Sequence, residues 1–488
     1  MFDRILFVLL ALSCAGAAAA QQVVEFPISV GPQTEWQPSV SYGMVVWADD
    51  RSGTDPGFDI WGTDLRNPWP FPVCQALRDQ LRPQIGMWRG APLCVWEDYR
   101  WATGPDIWGL VWPPGSPEFP VAASPDPEKR PRCFGPNVVY ELDSLAGFGP
   151  DVWACDLDSM QTYPVCMEPD VQRSPDVFGY KVVWSDNRPQ PDGAWDLFFK
   201  DLRVLSAETN LTRTLDEEAA PAISGNWVVY EFVSLVGWDT DIYARRIDDP
   251  DIPPKPICIA PGDQRNPAIW GNIVVWEDYR YGAPVIMGYD LSTEEEFLIS
   301  QAGGSIGADT EPDVSEGVVV WTRSYPAMGI LPDVIGAWLQ FSQIEGDIHL
   351  GHYRADPQFE PLELHLKDSM PPAREFVIPI RPDSNGHFVA VTRLSGLFIA
   401  SLKHTHWLRQ TLPGVYALQA GTTTPMSFQL INGDAVQDNH VNLIDLNKVL
   451  VEFGNPAPND ADLDGSGLVD LADLNIVLVN FGIPGDPW

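Results

Sequence analysis

Basic residues are scarce in this chain. Lysine and arginine total 30 of 488 residues against 67 aspartates and glutamates, a formal net charge of −37. Nucleic acid and anionic membranes bind through lysine and arginine clusters, so this balance excludes both as partners and favours divalent cations. Long apolar runs are equally scarce. Beyond the N-terminal leader no segment is long and apolar enough for a membrane helix, and no span is expected. Cysteine is sparse as well. Cys14 lies in the leader, and Cys74, Cys94, Cys133, Cys155, Cys166 and Cys258 follow it. An even count invites disulfides. Spacing argues otherwise for three of them, because Cys74, Cys166 and Cys258 recur every 92 residues. Equivalent positions of non-adjacent repeats cannot bring Cα atoms within the ~7 Å a bridge needs. These three are read as small buried residues; pairing among the others is open.

The leader reads MFDRILFVLLALSCAGAAAAQQ, with Arg4 before an apolar run of about ten residues and Ala18-Ala19-Ala20 as a small-residue cleavage site. A signal peptide covering residues 1–20 is expected, with a secreted or cell-surface mature chain. Cys14 raises a lipoprotein alternative, but Ala11-Leu12-Ser13 is a poor lipobox. Twenty tryptophans and 47 prolines point to a β-rich, turn-rich chain of two or three domains.

Residues 21–342 repeat. Pro38, Pro83, Pro131, Pro175, Pro221, Pro267 and Pro312 open seven units at steps of 45, 48, 44, 46, 46 and 45 residues. Each continues through a glycine turn into an apolar run, MVVW47, LCVW96, NVVY140, KVVW184, WVVY230, IVVW276 and VVVW321. An Asp-x-Arg loop often follows, as in Asp49/Arg51, Asp98/Arg100, Asp186/Arg188 and Asp278/Arg280. A third strand then starts with DIW61, DIW108, DVW153, DLF198 or DIY243, and FPVC74, FPVA122, YPVC166 and KPIC258 close their units. Four strands at this period predict a blade of a β-propeller. Proline in the last strand fits an outer edge, where no ladder bond is lost. The seventh unit lacks a fourth strand, and EFPISV30 copies that pattern at the start of the mature chain. A seven-bladed ring closed by residues 23–30 is therefore expected, which leaves no open edge at the seam. The repeated Asp and Arg are read as an ion pair that shapes each blade. The repeat P-x-x-x-G-x-x-V-V-W-x-D-x-R-x-G-x-D-I-W resembles the TolB-type propeller of bacterial exported proteins, a resemblance that implies fold rather than function.

The period is lost over residues 343–431. Alternating runs such as Leu362–Leu366, Phe376–Ile380 and His387–Val391, with the hairpin turn Asp383-Ser-Asn-Gly386, predict a β-sandwich. The stretch SLKHTHWLRQTLPGVYAL into INGD resembles the carboxypeptidase-regulatory-like sandwich. His404-x-His406 would share a strand face as a metal pair does, but no third ligand is evident and solvated or packed histidines are expected. Gly303-Gly-Ser305-Ile-Gly307 spells a nucleophile elbow in the wrong context, a polar loop between blades with no ordered partners.

Residues 432–488 carry the most specific motif. Asp462, Asp464, Ser466, Asp470 and Asp473 place oxygen side chains at positions 1, 3, 5, 9 and 12 of a loop, with Gly467 at 6 and the Leu468 carbonyl at 7. Alternate residues of a tight loop all point inward, which supplies the six to eight oxygens of Ca2+. A related loop starts 28 residues earlier with Asp434, Asp438, His440 (through its carbonyl), Asn442 and Asp445, but Val436 takes the oxygen position at 3. VNLIDLNKVLVEFG and VDLADLNIVLVNFG, which follow, agree at ten of fourteen positions. A duplicated loop-helix unit with Asp at position 12 resembles a type I dockerin. That resemblance implies an all-α, EF-hand-like pair holding Ca2+ and a cohesin-like protein partner. Dockerins usually carry small or hydroxylated residues at loop positions 10 and 11; here Leu443-Ile444 and Leu471-Ala472 stand there. That departure leaves two alternatives, a partner other than a cohesin or a tail packed on its own sandwich.

The sequence thus predicts a mainly β chain: propeller, sandwich, then a small helical tail. Function is expected to be binding or scaffolding linked to polysaccharide, with the propeller taking a polysaccharide or peptide. Trp101, Trp238 and Tyr281, in loops after the second strand, are the candidate ligand surface because flat rings suit sugars and peptides. Two alternatives stand beside it. One is a dockerin-borne glycoside hydrolase or lyase with a carboxylate pair on the propeller; the other is a surface protein-assembly module.

Overall fold

The computed structural model describes residues 23–488 apart from 52–56, 102–103, 114, 145–148, 189–193, 204–207, 235–236, 238, 250–251, 301–306, 327, 370–372 and 457–458. The leader, Trp238 and most of the Gly303–Gly307 motif lie outside the described residues.

Seven four-stranded antiparallel sheets follow one another through residues 23–339. Their innermost strands pack each on the next and the seventh returns to the first, so the ring is closed. Val23–Ser29 pairs antiparallel with Ile330–Leu339 as the outer strand of blade seven. Arg323 ties it down, with Glu25 at 3.0 Å on one side and buried Asp309 at 2.6 Å on the other.

The aliphatic runs form the second strand of each blade, not the channel wall. Trp47, Trp96, Trp184, Trp276 and Trp321 from them are fully buried between blades. The wall is instead the proline strand, such as Glu35–Ser41. The residue before each opening proline is a bulge at positive φ: Gln37, Arg82, Arg130, Ser174, Ala220, Asn266 and Glu311, all between +47° and +56°. None is glycine, so each costs about 1–2 kcal/mol. The bulge also turns an amide toward the preceding blade. There Glu97, Glu141, Glu231 and Glu277 accept from the amides of Arg130, Ser174, Asn266 and Glu311 at 2.6–2.8 Å. Glu311 accepts from Gln37 across the ring seam at 3.0 Å. A hydrogen bond to a carboxylate contributes about 1.5–3 kcal/mol, enough to offset the strain. The bulge staples each such blade to its neighbour.

The Asp-x-Arg loops are internal. Asp98 accepts from Trp96 Nε1 at 2.9 Å and from Arg100 Nη2 at 2.6 Å, and the Arg100 guanidinium stacks on Trp108 at 4.0 Å. Blades four and six repeat the Trp-Asp-Arg bonds at Asp186 and Asp278. Arg100, Arg188 and Arg280 also reach Cys74, Cys166 and Cys258, at 3.6, 3.1 and 2.8 Å. The three repeat cysteines are thus buried and free, and act as sulfur acceptors.

Two further sheets share one core of leucine, isoleucine and phenylalanine, as expected of a sandwich. One contains Ser342–Leu350 paired with His387–Thr392, Thr423–Pro425 and Phe428–Leu430; the other centres on Leu362–Asp368 and Gly396–His404. The sandwich covers one propeller face. Turn glycines of blades three, four, six and seven approach Phe359, Pro379 or Val391 so closely that a Cβ on Gly135, Gly271 or Gly317 would lie 2.7–3.2 Å away.

The tail contributes two short helices, α1 (Leu443–Glu452) and α2 (Leu471–Val479), each opened by a reciprocal capping box. The duplicated halves exchange ends: Val441 bonds Gly482 and Ile483, while Val469 bonds Gly454 and Asn455. Leu408 of the sandwich enters the tail core beside Val449 and Val477.

Candidate functional site

Loop two brings three of its six predicted ligands together. Carboxylate atoms of Asp462, Asp464 and Asp473 lie within 4.8 Å of one another, and all three side chains are buried. Backbone amides hold them in place. Asp462 accepts from Ser466 and Gly467, and Asp473 accepts from Leu463 and Asp464 while capping Asp470. Ser466 Oγ donates to the Leu468 carbonyl at 3.2 Å, and Asp470 caps α2 through Ala472. Gly467 sits at φ +94° with open space where a Cβ would be.

One atom shows that this loop fits a cation. Asp464 Oδ2 is buried without a hydrogen-bond partner. Arg354 Nη1 lies 3.1 Å from it, but that side chain is 68% exposed and not aligned to donate. Burial pushes the carboxyls of Asp462 and Asp473 above their usual range, and the neighbouring carboxylates add to it. Three crowded carboxylates with an unclaimed oxygen match the hard-oxygen chemistry of Ca2+.

Loop one differs. Among the described residues no comparable triad forms there. Asp438 accepts from the His440 amide and from Asn442 Nδ2, Asn442 caps α1, and both Asp445 oxygens are taken by the amides of Val436 and Asn442. Asp434 Oδ2 accepts from Lys403 Nζ at 2.9 Å.

The second site was not visible as a motif. A cavity of about 390 Å3 runs down the propeller axis. Gln358 and Arg381 of the sandwich line one end, and bulge residues Arg82 and Arg130, about half exposed, ring the other. Its charged lining is Arg82, Arg130, Arg132 and Arg381 against Asp176, Glu311 and Asp313. In a chain with 30 basic and 67 acidic residues, that local balance is reversed. Arg381 stacks on Phe134 at 3.9 Å and Phe178 at 4.9 Å, and its Nε has no hydrogen-bond partner. Burial lowers its pKa, opposed by Tyr42 and Glu316 nearby. The carboxylates are committed to the ring: Asp176 accepts from the Ile223 amide, Asp313 from Ser39 and the Val40 amide.

Trp101 and Tyr281 are 58% and 55% exposed in loops between second and third strands. His404 and His406 pack beside Trp407, and burial drives their pKa down to about 3 and about 4, as expected of packed neutral rings.

No family model and no curated protein matches the chain. Among solved structures it is similar to the β-propeller domain of the Trilobed protease from Pyrococcus furiosus, at 12% identity and TM-score 0.50, over 63% of this chain and 96% of that one. TolB from Acinetobacter baumannii matches at 11% identity and TM-score 0.41, over 58% and 65%. A type II Cohesin-X-Dockerin complex from Acetivibrio cellulolyticus matches at 18% identity and TM-score 0.23, over 30% and 97%. What the first of these shows is fold alone: residues 23–339 form a β-propeller.

Proposed function

We propose that this is an exported, non-catalytic binding protein that takes a ligand in the propeller channel and docks through its tail. The channel lining carries the reading. Positions that elsewhere repeat here break the symmetry, and they concentrate arginine in a cavity large enough to surround a ligand. Arg381 at the covered end, whose Nε has no hydrogen-bond partner, favours a ligand bearing a carboxylate or similar anion, an acidic oligosaccharide or a peptide C-terminus. Trp101 and Tyr281 offer flat surface on the loops outside.

In the tail, Ca2+ bound by Asp462, Asp464, Asp473 and the Leu468 carbonyl supplies the charge that lets the loop close. Leu443, Leu450, Val451 and Phe453 of the first repeat, and Leu471, Leu478, Val479 and Phe481 of the second, are exposed at equivalent positions. That doubled apolar surface suits a protein partner of the cohesin kind and a role at the cell surface in polysaccharide binding.

The test uses the full chain with acidic and neutral oligosaccharides and short peptides, read by calorimetry and by product release. Arg381→Met and the pair Trp101→Ala/Tyr281→Ala should each lower affinity at least tenfold, and the aromatic pair should leave the melting temperature within about 2 °C. Product release abolished by Asp313→Asn or Asp176→Asn would replace this reading with a propeller enzyme.

A further inference from the structure

The two tail loops descend from one duplicated unit, yet different groups approach their first aspartates. In loop two, Asp462 is met only by amides of its own loop, Ser466 and Gly467. In loop one, Asp434 is met by an ammonium from another domain. Lys403 lies on the sandwich strand Gly396–His404; its Nζ stands 2.9 Å from Asp434 Oδ2 and 3.5 Å from the Trp407 carbonyl. The Asn439 amide completes the set on the same oxygen at 2.9 Å, with Asn439 at φ +65°. Asp434 is fully buried and the Lys403 side chain only 19% exposed, so this is no surface ion pair.

We infer that Lys403 is the resident cation of loop one, so the chain binds one Ca2+, and loop one is a joint that fastens the tail to the sandwich. Two features converge. Val436 removes the oxygen at position 3. The ammonium is tethered on a sheet strand beside its partner, so its effective concentration exceeds that of any free ion. Removing one member of a buried pair leaves an uncompensated charge, which is why the joint holds. Arg354 beside loop two is 68% exposed where Lys403 is 19%, although each loop keeps one buried carboxylate oxygen without a hydrogen-bond partner, Asp464 Oδ2 and Asp434 Oδ1.

The inference rests on the calcium reading of loop two, and the experiment separates the two. Calorimetric titration of the full chain with Ca2+ should give one site, lost in Asp462→Ala. Val436→Asp, which restores position 3, should still give one site. Val436→Asp with Lys403→Met should give two. In EDTA, Lys403→Met alone should lower the melting temperature of the tail by 5 °C or more, and Lys403→Arg by less. Two sites in the unaltered chain, or two in Val436→Asp alone, would overturn the lysine assignment. So would an unchanged melting temperature in Lys403→Met. No Ca2+ binding, together with a destabilised Lys403→Met, would sink the calcium reading and leave the lysine joint standing.

Discussion

The propeller and the tail are both built by repetition, but they dispose of their repeated groups in opposite ways. In the propeller the repeat turns its polar groups on itself: bulge amides meet carboxylates of the preceding blade, and Asp-x-Arg pairs meet the tryptophan beside them. In the tail the repeat turns its groups outward, leaving Leu443, Val451, Leu471 and Val479 in solvent and a carboxylate oxygen unclaimed. Groups the repeat satisfies make structure; those it leaves open are either carried as a buried cost, as at the start of the innermost strands, or left for another molecule. The propeller obeys the same rule where its repeat fails, at the asymmetric lining of its channel.

The largest expected effect comes from breaking the ring at its seam. Deleting residues 23–29 exposes the edge of Ile330–Leu339 and takes Glu25 from Arg323, which is 5% exposed and would keep only Asp309. A loss of several kcal/mol, at about 2–4 °C per kcal/mol, should lower the propeller's calorimetric melting temperature by about 10 °C or more. An unchanged transition would show that the seam contributes nothing. Loss of a loop-two ligand should affect the tail less, and through its metal. Asp473→Ala removes a ligand and the reciprocal cap on Asp470 together. In the unaltered chain, Ca2+ at a hundredfold above its dissociation constant should stabilise the tail by about 2.7 kcal/mol. Asp473→Ala should abolish that gain, whereas Asp438→Ala in loop one should keep it. An equal loss in both would erase the distinction between the loops.

Much of this was legible in the sequence, and the parts that were not share a cause. Blade number, the exchanged N-terminal strand and loop two follow from spacing, because a period of about 45 residues and a twelve-residue ligand pattern are local facts. The channel wall was not assigned from the sequence: MVVW is buried throughout and QPSV only in part, because burial between blades outranks burial at the axis. The proline that marked each unit is the signal of the bulge, but the carboxylates meeting four of the bulge amides lie 33–35 residues away in the preceding blade. Lys403 and Arg381 were illegible for a plainer reason. Each acts on a different domain from its own, and no periodicity connects a sandwich strand with a loop or a channel.

A pH-dependent effect tests the rule inside the propeller, at the buried start of each innermost strand. That position alternates: Glu35, Glu128 and Glu218 in blades one, three and five, Gln80, Gln172 and Gln264 in blades two, four and six. In all six, one side-chain oxygen has no hydrogen-bond partner. Glutamine bears that without charge, its Nε2 donating to nearby carbonyls such as Arg78 and Gly262. Glutamate does not, and burial pushes Glu128 and Glu218 up to about 7 despite help from Ser124 and Thr214. A carboxyl raised from about 4.5 to about 7 on folding contributes stability that is fully present below pH 4.5 and lost as pH rises through 7. Glu128→Gln should therefore leave stability at pH 4.5 nearly unchanged, add up to about 3 kcal/mol at pH 8 and flatten the slope between. Gln172→Glu should do the reverse. Glu35→Gln should change stability in the same direction, since burial raises Glu35 as well, opposed by its hydrogen bonds from Ser29 and Gln33 and by Arg51 at 2.9 Å. Melting curves in EDTA from pH 4.5 to 8 decide it, because without Ca2+ the propeller transition carries no metal contribution. Parallel slopes for Glu128→Gln and the unaltered chain would mean that this carboxylate stays ionised throughout and that the alternation of Glu and Gln has no energetic consequence.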